Sequence, residues 1–151
     1  MLYDTHSHPY LARDLSEKQV LESFFWWWWK YLNSIWCDIE SSKKSIQISK
    51  KYSWVYASIG IHPTHVLDYL EQDVVRVISE LESLYSENSE NIIAIWETWL
   101  DYYWLDSLSK KYNLSKDTII KLQISYFRAQ IQLAKKIWLP IIIHNRDSSE
   151  D

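Results

Sequence analysis

The stretch Asn91–Trp104, which reads NIIAIWETWLDYYW, decides the fold of this chain. It opens with an apolar run of the kind found in buried strands of parallel sheets. The run gives way to one carboxylate, Glu97, with Trp96 before it and Trp99 two residues after it. Strand ends often carry glycine where backbone or ligand must approach closely. Tryptophan, which has the largest side chain, therefore occupies two positions where glycine is expected.

The composition shows the same exchange of tryptophan for glycine. The 151 residues include 10 Trp and 1 Gly, whereas average usage predicts about ten glycines. Trp138 follows a helical pattern at a point typical of a C-cap glycine, and Trp26–Trp29 form a run of four. We hypothesise that most or all of these tryptophans are glycines in the native protein, misread from UGA codons. The alternative is a truly Trp-rich protein, which UGG codons at these positions would establish.

The overall charge and the cysteine content limit the class of protein. The net charge of -4 and the pI of about 5.7 argue against a broad basic face for nucleic acid. One cysteine, Cys37, excludes an internal disulfide and fits a reducing compartment. We find no signal-peptide pattern and no apolar run of the roughly 18 residues that a membrane span needs. We therefore expect a cytoplasmic protein with no membrane partner, of unknown oligomeric state.

Strand and helix patterns alternate on both sides of the opening stretch. The strand patterns are MLYDTH, KYLNSI, VYASIGIHP, NIIAI and LPIIIH, and the helical ones are SEKQVLESFF, DIESSKKSIQISKKY, Asp68–Leu84 and Asp117–Ile137. Ser16 with Gln19 has capping-box spacing, and Asp38 is a plausible N-cap. The polar connection Trp104–Lys116 is interpreted as a functional loop. This alternation predicts an α/β fold with a parallel sheet.

Polar side chains cluster at the predicted strand ends, where (β/α)₈ barrels place their chemistry. They are His6, His8, His62, Glu97 and His144. A complete barrel takes about 250 residues, so we expect residues 1–151 to form the N-terminal portion of one TIM (β/α)₈ barrel domain, with about the first five strands.

The pair His6 and His8 suggests a metal site. Residues two apart on a strand face the same way, so both imidazoles can reach one ion. Imidazole suits Zn, Fe, Ni or Mn, while a carboxylate such as Glu97 suits harder cations or a bridge between two ions. An H-x-H pair alone is weak evidence, but Glu97 and His144 at other strand ends strengthen the prediction. Asp4 lies two residues before His6 and could orient a metal-binding side chain without binding the ion itself.

Four ordered blocks of this chain resemble the TatD-type metal-dependent deoxyribonucleases. They are DTHSH at Asp4–His8, ASIGIHP at Ala57–Pro63, AIWETWLDYYW at Ala94–Trp104 and RAQIQLAKKIWLPIIIHNRD at Arg128–Asp147. The resemblance implies a barrel of the amidohydrolase type with divalent metal ions, two of them expected, as Mg, Mn or Zn. It implies His6, His8, Glu97 and His144 as metal ligands, with Glu97 bridging. The family has glycine where this chain has Trp96 and Trp99.

The resemblance also implies an activity, hydrolysis of DNA phosphodiester bonds from the 3′ end by a metal-activated water. Glu97 and Arg146 would then be catalytic, with Arg146 holding a phosphate oxygen. His62 and His65 would donate to the phosphate, and Tyr102 and Tyr103 could stack on a base. Other readings stay open: a solvated turn for His62, a surface role for His65, packing for the tyrosines, and pairing of Arg146 with Asp147, Glu150 or Asp151.

Two further functions stay open at this point. One is a metal-dependent ester or amide hydrolase, such as an aminoacyl-tRNA deacylase, since the same metal chemistry serves each bond. The other is a non-catalytic, truncated fragment. The family has a further metal-binding His and an Asp that find no counterpart up to Asp151, so we expect these 151 residues alone to be inactive.

Overall fold

The computed structural model of this chain describes residues 2–9, 14–25, 29–69, 73–96, 98–144 and 146–148. Four parallel strands form one sheet in the order β1-β2-β3-β4. The strands are β1 (Leu2–Ser7), β2 (Trp29–Ser34), β3 (Val55–Ile59) and β4 (Ile92–Ile95). The helices are α1 (Glu17–Phe25), α2 (Ile39–Lys51), α3 (Val74–Asn88), α4 (Leu105–Tyr112) and α5 (Lys116–Ile137). The predicted alternation of strands and helices in a parallel α/β fold is confirmed.

Helices α1 and α2 begin where the sequence predicts them to begin, whereas α3, predicted from Asp68, begins at Val74. The Asp38 side chain accepts a hydrogen bond from Ser41 N at 2.7 Å, which caps α2. Before α1, Ser16 N donates to Gln19 Oε1 at 2.9 Å, and Gln19 N donates back to Ser16 Oγ at 3.3 Å. These bonds satisfy backbone donors that the first helical turn leaves without an intrahelical partner. Both predicted caps are therefore confirmed.

Two further sequence predictions differ from the structure. The Trp104–Lys116 connection is not an open loop, because its middle forms helix α4, with Leu105 and Leu108 buried. The predicted fifth strand is reduced to an isolated parallel bridge between Ile95 and Ile141. Two backbone bonds of 3.0 Å, from Ile95 N to Pro140 O and from Ile142 N to Ile95 O, hold this segment beside β4. Its position still carries His144 to the same end of the sheet.

The main core lies between the sheet and the helices α2, α3 and α5. Ala57 and Ile59 of β3 belong to the same buried cluster as Val77 and Leu81 of α3, and Tyr126 of α5 is fully buried in it. A smaller cluster under α1 contains Leu21, Leu32, Ile48 and Val55. Over the described ranges, no helix combines the length and the apolarity that crossing a bilayer requires. This packing fixes β3 and β4, and with them the segments beyond their carboxyl ends.

Candidate metal centre

Three predicted metal ligands meet beyond the carboxyl ends of the strands. His6 is near the end of β1, His8 follows it, and His144 follows the segment that pairs with β4. The ring centroid of His6 lies 5.3 Å from that of His8 and 6.4 Å from that of His144. We call the described residues of 6–8, 60–65, 96–101 and 142–148 the rim. The structure thus brings these three imidazoles together on the rim, and their role as ligands stays a prediction.

The local electrostatics favour neutral rings at this point. Partial burial lowers the pKa of the His6 imidazole, and His144 lowers it further, while Asp4 raises it. Partial burial also lowers the pKa of His8, and the nearby His6 adds to the effect. A metal ion binds the neutral imidazole, so rings that resist protonation are suited to hold one. The Asp4 carboxylate accepts a bond from the backbone N of His6 at 2.9 Å, which stabilises the strand end.

Two tryptophans fill the space between the histidines. The Trp96 ring lies edge-on to His6 at 4.8 Å between centroids, and the Trp99 ring lies 4.5 Å from His62 and 4.9 Å from His144. Both indoles are buried, and neither N–H has a hydrogen-bond partner among the described residues. A buried indole usually finds a partner for its N–H. These two side chains therefore occupy the rim at an energetic cost.

The described residues do not form a finished coordination site. Within the described ranges, no group of three or more His, Cys, Asp or Glu side chains is arranged to hold a metal ion. The predicted carboxylate ligand, Glu97, lies outside those ranges. The indoles of Trp96 and Trp99 contact these rings, Trp96 at His6 and Trp99 at His144. The donors themselves, two imidazoles at the end of β1 and a third after the segment beside β4, have the chemistry that fits a divalent ion.

His62 contacts Trp99 at this end of the sheet, and the His65 ring lies 6.0 Å from the His62 ring with its Nδ1 against Asp68. Thr64 N donates to His62 Nδ1 at 3.0 Å, so the neutral ring carries its proton on Nε2. Burial lowers the pKa of His62 to about 3, helped by His65 and Arg146. The Nδ1 atom of His65 instead lies 3.1 Å from Asp68 Oδ2 and 3.9 Å from Asp38 Oδ2. His62 is thus a hydrogen-bond donor beside the metal-ligand candidates.

Arg146 pairs with Asp101, a residue that no pattern in the sequence assigns to it. Its Nη1 lies 3.6 Å from Oδ2 of Asp101, which is fully buried. Burial raises the pKa of Asp101, and the Arg146 guanidinium opposes that rise. Of the partners considered from sequence, Glu150 and Asp151 lie outside the described residues. The only sequence signal for Asp101 was its place just beyond the fourth strand.

The two tyrosines of the same segment have different surroundings. Tyr103 is 60% exposed, with the Arg146 guanidinium 5.8 Å from its ring centroid. Tyr102 is half-buried against the main core, and its backbone N donates to Arg146 O at 3.1 Å. An exposed aromatic ring beside a cation can stack on a nucleic-acid base. This arrangement favours Tyr103 for that role and packing for Tyr102.

Comparison with known proteins identifies the relatives of this chain. The TatD related DNase family matches residues 3–151. The chain is 35% identical to the uncharacterized metal-dependent hydrolase YabD of Bacillus subtilis, over 100% of this chain and 53% of that protein. It is 23% identical to the deoxyribonuclease Tat-D of Schizosaccharomyces pombe, over 76% of this chain and 35% of that protein. The chain spans about half the length of the curated relatives it matches.

Solved structures show the same fold. The TatD homologue YJJV of Escherichia coli superimposes with a TM-score of 0.78 at 20% identity, over 98% of this chain and 52% of that one. A TatD family hydrolase of Entamoeba histolytica gives a TM-score of 0.64 at 27% identity, over 82% and 38% of the two chains. The chain therefore has the fold of about half of such a protein, and the predicted fold class is confirmed.

Proposed function

This chain belongs to the TatD related DNase family, and we propose that it is the metal-binding part of a hydrolase that cleaves DNA phosphodiester bonds from the 3′ end. Metal-dependent hydrolysis is the activity named for the B. subtilis relative, and deoxyribonuclease is the name of the S. pombe relative. The convergence of His6, His8 and His144 carries the proposal, because the fold brings the His6–His8 pair and the distant His144 to the same end of the sheet.

His6, His8, Glu97 and His144 would hold the divalent ions, two of them, as Mg, Mn or Zn. Such ions make a water molecule more acidic and neutralise charge on phosphate oxygens. His6 is exposed and His8 and His144 are half-buried, so solvent and substrate can reach the rings. The catalytic role of Glu97 follows from the family resemblance.

The other rim residues would bind the substrate. The Arg146 side chain is 40% exposed, so its guanidinium can pair with Asp101 and still meet a phosphate oxygen. His62 would donate its Nε2–H to the same phosphate, and the exposed Tyr103 would stack on the terminal base. His65 would act at the edge of this surface, since Asp68 already engages its Nδ1. Tyr102 would support Tyr103 from the core side.

A metal titration tests the central step. Mn²⁺ is titrated by calorimetry into a Trp96→Gly, Trp99→Gly background, where the indoles do not obstruct the rings. His6→Ala should weaken binding by more than the roughly tenfold to hundredfold that loss of an outer partner costs. His65→Ala is the matched control, and it should stay within about twofold of the background because His65 faces Asp68. Equal effects of the two substitutions would reject His6 as a ligand.

The substrate is tested on the protein expressed from its complete gene. A single-stranded oligonucleotide labelled at its 3′ end is compared with a panel of carboxylic esters and an aminoacylated tRNA, each with Mn²⁺. Release of 3′-terminal nucleotides, reduced by Arg146→Ala, is the expected result. Hydrolysis of the esters or of the aminoacyl bond without DNA cleavage would support the alternative hydrolase instead.

A further inference from the structure

Two buried glutamines of α5 hold the rim by its backbone. Gln123 and Gln130 are each 1% exposed and lie seven residues, about two turns, apart on one face of the helix. Each carboxamide bonds both the N–H and the C=O of a single residue beyond a strand end, Asp101 for Gln123 and Ile61 for Gln130. Beyond the strand ends, each carboxamide thus makes the two backbone hydrogen bonds that a neighbouring strand would make within the sheet.

Gln130 connects two different segments. Its Oε1 accepts from Ile61 N at 2.7 Å, and its Nε2 donates to Ile61 O at 3.1 Å. The same Nε2 donates to Thr98 Oγ1 at 2.9 Å. Ile61 directly precedes His62, and Thr98 directly precedes Trp99. One side chain therefore holds the segment after β3 and the segment after β4 at the same time.

The surroundings of Gln130 leave little freedom for either segment. A Cβ added to Gly60 would come within 1.8 Å of Trp96 O and 2.8 Å of Gln130 Oε1. Trp96 N donates to Ile59 O at 2.9 Å. The two strand ends and the carboxamide are thus in direct contact, and only a residue without a side chain fits at position 60.

We propose that Gln130 is a positioning residue that sets the place of His62 relative to the segment after β4. It does so through Ile61 and Thr98, and it contacts none of the proposed metal ligands in the described contacts. The catalytic meaning of this role rests on the proposed function. The placement of His62 itself is a property of the fold and can be measured without metal or substrate.

The competing explanation is that Gln130 only satisfies buried backbone groups. Gln123 provides the matched comparison, because it has the same burial, lies on the same helix and also bonds both backbone groups of one residue. Its partner is Asp101, next to Arg146, and not the segment that carries His62. A purely structural role predicts similar effects of both glutamines on stability and no selective effect on His62.

The experiment compares the parent with Gln130→Leu, Gln130→Glu and Gln123→Leu. Leucine removes all three bonds of Gln130, whereas glutamate keeps the acceptor for Ile61 N and loses the amide donor to Ile61 O and Thr98 Oγ1. The ¹H–¹⁵N resonances of the His62 imidazole report its surroundings in the metal-free chain. Calorimetric titration of Mn²⁺ reports the consequence for the metal centre.

Both Gln130 variants should move the His62 resonances, and Gln130→Leu should weaken Mn²⁺ binding about tenfold, as loss of an outer partner does. Gln123→Leu should leave the His62 resonances in place. Unchanged resonances in both folded Gln130 variants, an equal change in Gln123→Leu, or failure of both Gln130 variants to fold would overturn the inference. If the parent binds no Mn²⁺, the proposed function fails for this chain, while the resonances still decide the role of Gln130.

Discussion

The layer between the sheet and α5 differs from the rim in how its polar groups are satisfied. In the layer, the carboxamides of Gln123 and Gln130 are almost fully buried, and both ends of each are hydrogen-bonded. On the rim, the indole N–H groups of Trp96 and Trp99 are buried without a hydrogen-bond partner among the described residues. Buried polar groups in native proteins are usually paired, and exceptions concentrate at functional sites.

The difference shows where this chain departs from a well-matched sequence. The layer obeys the ordinary rules of packing, so its residues explain the fold. The rim contains imidazoles, a buried carboxylate and two indoles whose buried N–H groups have no hydrogen-bond partner among the described residues. Its composition is explained either by a function or by native residues that differ from those in this sequence. Both explanations apply to Trp96 and Trp99, because small residues at these two positions would open the space between the histidines.

The layer continues into the main core with α3, and truncating it there is expected to have the largest effect, on stability alone. Leu81 of α3 is fully buried, so Leu81→Ala should lower the free energy of unfolding by about 2–5 kcal/mol through lost burial and a cavity. Val75→Ala on the same helix, where the side chain is 77% exposed, should change it by less than about 0.5 kcal/mol. Urea unfolding measures both. A large loss of Mn²⁺ affinity in folded Leu81→Ala would show that the layer also controls metal binding, and would contradict its assignment to stability alone.

The rim should make the protein sensitive to acid through His62. The folded-state pKa of His62 is lowered to about 3, while an unfolded histidine titrates near about 6.5. Below about pH 6.5 the His62 imidazole is protonated in the unfolded chain but still neutral in the folded chain. The free energy of unfolding is therefore highest above about pH 6.5 and falls as the pH is lowered toward 3. Between about pH 7 and 5 the parent should lose up to about 2 kcal/mol.

The acid sensitivity is measured by urea unfolding at several pH values. His62→Gln should remove most of this pH dependence, since glutamine does not titrate in the range. His65→Gln is the control, because His65 is more exposed and pairs with Asp68. The attribution to the rim is wrong if His62→Gln keeps the full slope of the parent.

Opening the rim should increase metal affinity. In a Trp96→Gly, Trp99→Gly variant the space between His6, His62 and His144 is cleared, and we expect Mn²⁺ to bind about tenfold more tightly, which is about 1.4 kcal/mol. Trp54→Gly is the control, because Trp54 stacks on Phe24 away from the rim histidines. Equal Mn²⁺ affinity of parent and double variant, measured by calorimetry, would contradict the steric explanation.

The smallest expected effect is a gain in stability at the end of α5. Trp138 adopts a left-handed conformation, with φ 58° and ψ 36°, and its side chain is 92% exposed. Trp138→Gly should raise the free energy of unfolding by about 1 kcal/mol, because glycine avoids the strain of this conformation. Trp104→Gly is the matched control, since Trp104 has a φ of -91° before α4. A similar gain at both positions would point to a cause other than backbone conformation.

The outcome at Trp138 bears on the glycine hypothesis as well. The sequence pattern predicts a helix C-cap at Trp138, and the structure gives this residue the backbone conformation that glycine prefers. The run at Trp26–Trp28 lies outside the described residues, so the hypothesis there stays a prediction. Reading the ten codons decides all positions together.

Local patterns in the sequence determined much of this protein. The alternation of strands and helices, the caps at Ser16 and Asp38, and the order of the strand-end histidines all follow from residues within a few positions of one another. Parallel strands expose their carboxyl ends at one edge of the sheet, so the meeting of His6, His8 and His144 could also be expected. The fifth strand and the open 104–116 loop could not be judged locally, because tertiary packing decided both.

Only the tertiary structure decided which partners the rim residues find. Gln130 bonds Ile61 across 69 residues of sequence, Arg146 pairs with Asp101 of a distant segment, and the indoles of Trp96 and Trp99 contact the imidazoles. No local pattern encodes such contacts, since each depends on how α5 and the strand ends come together in three dimensions. Caps and periodic patterns can be predicted from the sequence because they involve residues that are close along the chain. Contacts between distant side chains cannot, because they form only when the chain has folded.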